Sequence, residues 1–302
     1  MSADLHINFA GVDFQNPVLT ASGTFGSGME YSDFYDISKL GAVITKGVSV
    51  TPWEGNPVPR VAETPSGMLN AIGLQNPGID LFLKRDSAFL EENNIPYVIN
   101  VCGHTKEEYM EAVERLSDTK AKALEINISC PNVKAGGITF GTTAEGVEDI
   151  TKAVKSVAKK PIIMKLSPNV TSIAEIAKAA EAGGADAVSL INTITGMKID
   201  IRKRTFVLKN KTGGLSGPAI HPVAVRMVYE VHNAVKIPVL GMGGIASAED
   251  AIEMMLAGAS LVAVGTSNFF NPTGTLDIID GIQKYLDENG FSSVSDIIGA
   301  VN

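Results

Sequence analysis

A chain of 302 residues with 45% hydrophobic and 19% charged residues has ample material for a core, and one large α/β domain fits the length as well as two smaller ones. A formal net charge of -8, with no basic cluster larger than Arg202-Lys203-Arg204, argues against a nucleic-acid partner. Two cysteines, Cys102 and Cys130, are too few for a disulfide framework or a cysteine-ligated iron–sulfur cluster. No apolar run approaches the roughly 18 residues of a membrane span, and the start Met1-Ser2-Ala3-Asp4-Leu5-His6 lacks the basic and apolar regions of a secretory signal, so no membrane partner and a cytoplasmic location are expected.

Between residues 5 and 14, apolar and polar side chains partly alternate around Gly11, which predicts a short N-terminal β-hairpin. A rhythm then begins. Short β-type runs at 17–21, 42–45, 97–100, 123–127, 162–165, 187–191, 239–242 and 261–264 are each followed by helical spacing. The helices are most legible at 172–182, 222–235 and 248–257. There Ser172 with Glu175 and Ser247 with Asp250 resemble capping boxes, and Gly183 and Gly258 stand where a C-cap glycine belongs. The stretch 174–191 is echoed by 248–264, as two successive β/α units should be.

Strands separated by helices run parallel, and eight such units close most simply into a (β/α)8 TIM barrel, one domain over 1–302. A doubly wound open sheet is the alternative. It would carry a dinucleotide fingerprint, and Gly23-Thr24-Phe25-Gly26-Ser27-Gly28 has the wrong spacing for one. Two connections, 47–78 and 192–221, are longer than a barrel needs and are predicted to be active-site walls.

Residues at the C-terminal ends of barrel strands face the mouth where chemistry is done. Here they are Ala21-Ser22, Lys46-Gly47, Asn100, Asn127 with Cys130, Lys165, Asn192-Thr193, Gly243-Gly244 and Gly265-Thr266. No histidine or carboxylate cluster is among them, so neither a metal nor paired-carboxylate glycoside chemistry is expected. Gly243-Gly244 and Gly265-Thr266 offer unobstructed backbone N–H groups suited to a phosphate. Lys46 and Lys165 would be costly in a closed core without an anionic or electron-rich neighbour; one could form a Schiff base, or both could face a cofactor that turns negative on reduction. The amides Asn70, Asn100, Asn127, Asn132 and Asn192 suit a planar ligand with imide-like N–H and C=O groups. Cys130, flanked by Asn127 and Asn132, reads as a catalytic base, and Cys102 as a small buried apolar residue. The stretch from Pro131 to Gly137, ending in Gly136-Gly137, reads as a lid.

Asn16-Pro17 through Ala21-Ser22-Gly23-Thr24-Phe25-Gly26, Thr45-Lys46-Gly47, Gly55-Asn56-Pro57 with Pro59-Arg60, Asn70-Ala71-Ile72-Gly73-Leu74-Gln75-Asn76 and Asn127-Ile128-Ser129-Cys130-Pro131-Asn132 together resemble dihydroorotate dehydrogenase. The similarity continues through Lys165, Asn192-Thr193, Gly217-Pro218, Gly243-Gly244 and Gly265-Thr266 and so covers nearly the whole chain. It is closest to the catalytic subunit of the class 1B, NAD-linked type, on the wording of 22–26 and 63–70; Cys130 separates it from the membrane-associated class 2, whose base is a serine.

The resemblance implies one FMN per chain and oxidation of (S)-dihydroorotate to orotate in de novo pyrimidine (UMP) biosynthesis. In that reaction Cys130 would take the C5 proton while the C6 hydrogen leaves as hydride to the flavin N5. It implies a flavin site of Ser22, Lys46, Gly47, Asn100, Asn127, Lys165, Ile191, Gly217, Gly243, Gly244, Gly265 and Thr266. The substrate would meet Lys46, Asn70, Ala71, Ile72, Gly73, Leu74, Asn127, Asn132, Asn192 and Thr193. It further implies a dimer of this chain joined to a partner subunit carrying FAD and a [2Fe–2S] cluster, a heterotetramer that passes electrons to NAD. Four other readings stay open: a class 1A enzyme linked to fumarate, a dihydropyrimidine dehydrogenase-like flavin subunit, a Schiff-base aldolase, and a flavin-binding scaffold without catalysis.

Overall fold

The eight apolar runs form the eight strands of a closed parallel barrel: β1 (Val18–Thr20), β2 (Ala42–Ile44), β3 (Tyr97–Val101), β4 (Leu124–Asn127), β5 (Ile162–Lys165), β6 (Ala187–Leu190), β7 (Val239–Met242) and β8 (Leu261–Val264). Neighbours in sequence are neighbours in the barrel, and β8 closes it by pairing Val262 with Val18 and Val264 with Thr20 of β1. The computed structural model describes residues 2–128 and 140–301. Every residue of the eight strands is buried. A barrel strand is covered on one face by the interior and on the other by helices, so it reads as a continuous apolar run rather than an alternating one.

The outer layer includes helices Lys106–Leu116, Ala144–Val157, Ile173–Ala182, His221–His232, Ala248–Leu256 and Gly274–Asn289. Their starts follow the expected chemistry. Ser247 and Asp250 form the full reciprocal capping box, whereas Ser172 makes only the half in which its hydroxyl accepts from the Glu175 N–H. The C-cap expectation is met at Gly183, which is the C-cap of its helix, while Gly258, with φ 119°, directly follows the C-cap Ala257. Gly183 keeps helical φ of -72°, and the left-handed residue is Gly184 with φ 92°. Packing explains the glycine at 183: a Cβ there would fall 2.5 Å from the Thr151 Cβ on the adjacent helix.

At the N-terminal end of the barrel lies the predicted hairpin, Ile7–Phe9 paired with Val12–Phe14. Phe9 and Phe14 are buried and meet edge to face at 6.3 Å. Lys122, just before β4, donates from Nζ to the Asp13 carbonyl at 2.7 Å and stands over the Phe14 ring.

At the opposite end the two long connections do more than form separate walls. Val61–Thr64 and Gly67–Asn70 from the first join Ile194–Met197 and Thr212–Ser216 from the second in one four-stranded antiparallel sheet. The join is Gly67–Asn70 against Thr212–Ser216, with Asn70 opposite Gly214 and Met68 opposite Ser216. Ala62, Leu69, Ala71 and Leu208 give this sheet a small core of its own. Among the described residues no helix is long and apolar enough to cross a membrane.

Candidate active site

A cavity of about 300 Å³ opens at the C-terminal ends of the strands, bounded on one side by the loop-built sheet. The volume is at the small end of the range for organic ligands. Its floor is polar. Asn127 ends β4 and Lys165 ends β5; the two are register partners and are 5% and 4% exposed. The Tyr109 hydroxyl, from the helix that follows β3, donates to the Asn127 carbonyl at 2.7 Å and fixes the end of β4.

Beneath the floor stands a side chain that the sequence did not single out. Glu125, two residues before Asn127 on β4 and therefore on the same inward face, is fully buried. One of its oxygens, Oε2, accepts from Asn100 Nδ2 at 2.5 Å and lies 3.6 Å from Lys165 Nζ; the other, Oε1, accepts from Ser189 Oγ at 2.7 Å. Asn100 is thus not in the cavity lining but below it, its Oδ1 accepting from Asn127 Nδ2 at 3.4 Å.

On the far side are the glycine loops after β7 and β8. Gly243 and Gly244 have φ of 133° and 74°, conformations that side-chain-bearing residues rarely adopt. A Cβ on Gly244 would lie 2.7 Å from the His221 Cβ and 2.9 Å from the Gly217 carbonyl oxygen. His221 ties this loop down, with Nδ1 2.9 Å from the Gly243 carbonyl oxygen and Nε2 3.1 Å from Glu253. Gly265 and Thr266 complete the cradle, and the Thr266 hydroxyl donates to Ser216 Oγ at 2.8 Å.

Ser22, Lys46, Ile191, Asn192, Thr193 and Gly217 also line this cavity, and so does the continuous stretch Asn70, Ala71, Ile72, Gly73 and Leu74. Gly47 instead lines a neighbouring cavity with Lys46, where a Cβ would come 3.1 Å from Asn100 Oδ1. Cys130, Asn132 and the lid expected from Pro131 to Gly137 lie outside the described residues. Cys102 is fully buried.

Asn169 and Ser216 are further polar residues of the lining. Asn169 bridges the loop after β5 to the second wall, donating to the Thr193 carbonyl at 3.0 Å and accepting from the Thr195 N–H at 2.9 Å. Its signal in the sequence was only its place in Ser167-Pro168-Asn169, just past a strand end. No group of three or more His, Cys, Asp or Glu able to hold a metal occurs among the described residues.

These residues fit a planar cofactor with a phosphate tail. Side-chain-free backbone sits at the last two strand ends, at Gly243-Gly244, where a Cβ on Gly244 would already be too close to the helix start at His221, and at Gly265, and the buried Lys165 ammonium with the Asn127 amide forms the floor.

Comparison with known proteins identifies the family. The dihydroorotate dehydrogenase family model matches residues 4–286. A protein of Lachnoclostridium phytofermentans described as dihydroorotate dehydrogenase B (NAD(+)), catalytic subunit, is 61% identical over 296 residues, 98% of this chain and 99% of that one. Proteins with the same description from Alkaliphilus metalliredigens and Geotalea uraniireducens are 57% and 54% identical; each alignment covers 99% of this chain, and 99% and 98% of the respective relative. The chain belongs to the dihydroorotate dehydrogenase family.

Proposed function

We propose that this chain is the FMN-bearing catalytic subunit of a class 1B, NAD-linked dihydroorotate dehydrogenase, oxidising (S)-dihydroorotate to orotate in the cytoplasm. The observation that carries this reading is one cavity in which the Gly243-Gly244 and Gly265-Thr266 loops face a floor of Lys165 and Asn127 and a wall of Asn70 to Leu74. Bound FMN would supply the two-electron acceptor for the hydrogen leaving C6.

The chain's own residues would do the rest. Gly243, Gly244, Gly265 and Thr266 hold the phosphate through backbone N–H groups, with Ser22, Ile191 and Gly217 along the cofactor. Lys165, buried in the floor, offsets the negative charge that gathers on the reduced ring. Lys46 and the backbone of Asn70 to Leu74 receive the substrate carboxylate, which separates dihydroorotate from uncharged dihydropyrimidines. Asn127, Asn192, Thr193 and Asn132 meet the ring amides. Cys130 follows β4 by three residues and takes the C5 proton as thiolate; because a free thiol titrates near 8.5, turnover should rise with pH through that region.

Two cysteines leave this chain without the set that an iron–sulfur cluster needs. Electrons for NAD would therefore leave through a partner subunit with FAD and a [2Fe–2S] cluster, docked on a dimer of this chain. The description of the relatives as catalytic subunits supports a partner.

The test is anaerobic addition of dihydroorotate to the flavin-loaded chain. Bleaching of the flavin spectrum, reversed by NAD only with the partner present, is expected. Rapid reversal by fumarate with the chain alone would replace the class 1B reading with class 1A. A loaded flavin that dihydroorotate cannot bleach would overturn the dehydrogenase reading.

A further inference from the structure

The Glu125 carboxylate is not needed for any step derived above, yet it sits at the centre of the polar network under the cavity. Four adjacent strands contribute to that network. In the ladder, Asn100 on β3 is opposite Glu125 on β4, Asn127 on β4 is opposite Lys165 on β5, and Lys165 is opposite Ser189 on β6. Glu125, Asn100 and Ser189 are fully buried, and Lys165 and Asn127 nearly so.

A carboxylate can only accept hydrogen bonds. Both of its oxygens meet donors, Asn100 Nδ2 and Ser189 Oγ. Asn100 must then turn its Oδ1 away from Glu125, and that oxygen accepts from Asn127 Nδ2. The direction of an amide that lines the cavity is thus dictated by a carboxylate that does not reach it. The same carboxylate is 3.6 Å from the Lys165 ammonium, in an enclosed place where charges are weakly screened. The positive field that Lys165 sends into the cavity is therefore partly cancelled from below.

We propose that Glu125 is a positioning residue of the flavin site: it sets the direction of the Asn100 and Asn127 amides and, as counter-ion to Lys165, holds the reduction potential of the bound flavin below the value the lysine alone would impose. This rests on the flavin reading above. A purely structural ion pair would affect stability and leave the potential where it is.

Potentiometric titration of the FMN-loaded chain decides between them. Glu125→Gln keeps an acceptor for Asn100 and can offer a donor to Ser189, so it removes the charge while preserving the network. The expected result is an upward shift of the midpoint by at least a tenfold change in the reduced-to-oxidised ratio, about 30 mV for a two-electron couple. Ser189→Ala removes one donor and keeps the charge, so its shift should stay below threefold in that ratio. If Glu125→Gln leaves the lysine uncompensated and the chain does not fold, Glu125→Gln with Lys165→Gln is compared with Lys165→Gln alone. The pair should then have the higher potential, because the field of the carboxylate is gone. An unchanged midpoint in Glu125→Gln, or in that pair, overturns the proposal and leaves the flavin reading intact. A wild-type chain that takes up no FMN overturns both.

Discussion

The two ends of the barrel are built from the same strands and held by opposite means. At the N-terminal end Phe9 and Phe14 pack edge to face in the core, and Tyr97, the first residue of β3, reaches Ser87 and Glu91 with its hydroxyl. Burial, outweighing the hydroxyl bond from Ser87, pushes the Tyr97 phenol up to about 12. At the C-terminal end the interior is lined by Lys165, Asn127 and glycine loops, and its buried charge is compensated by Glu125. One end supplies stability and the other chemistry, and the strands between them keep the two separable.

Substitutions can break that division or sharpen it. The largest effect is expected from Cys130→Ser, which should lower dihydroorotate oxidation at neutral pH by about 10²- to 10⁴-fold while leaving flavin content and thermal midpoint unchanged. Near-normal turnover would sink the assignment of the base. At the other end, Phe14→Ala should lower the free energy of unfolding by about 3–5 kcal/mol in denaturant titration, with turnover per folded, flavin-loaded molecule unaltered; a matching loss of turnover would show that the ends are coupled.

Gly244→Ala comes next. With φ 74° and a Cβ forced to 2.7 Å from His221, the loop must shift. FMN affinity, read by flavin fluorescence, should fall by about tenfold, equivalent to about 1.4 kcal/mol, and unchanged affinity would remove this loop from the phosphate site.

The smallest effect concerns pH. The folded Tyr97 phenol titrates near 12 and the unfolded one near 10.0, so above pH 10 the unfolded chain gives up a proton that the folded chain keeps. This contribution is intact below pH 10 and is lost as pH rises toward 12. Tyr97→Phe should flatten the decline of stability over that window, and an unchanged alkaline slope would place its cause elsewhere.

All eight barrel strands were legible in the sequence, because strands covered on both faces read as apolar runs and the glycines and prolines between them mark the turns. The mouth was legible where a residue type is conspicuous, as with Lys165 ending an apolar strand or the pair Gly243-Gly244. Glu125 was not. In Glu125-Ile126-Asn127 a single acid inside a short run says nothing of whether it faces water or the interior, and its partners Asn100, Ser189 and Lys165 come from three other strands. The loop-built sheet was equally hidden, since Gly67–Asn70 and Thr212–Ser216 carry glycines and lack the two-residue alternation that announces a strand. The expected lid around Gly136-Gly137 lies outside the described residues.

That sheet has a consequence for how the molecule is made. Asn70 and Gly214 are 144 residues apart in the chain, yet they are opposite each other in the wall of the cavity. During synthesis the first half of the wall emerges long before the second, and Gly67–Asn70 has only Val61–Thr64 to pair with until Thr212–Ser216 arrives. Contacts between distant parts of a chain form late because the intervening segment must first be ordered. This wall of the cavity should therefore be among the last parts of the protein to be completed, after the strands that carry it have found one another.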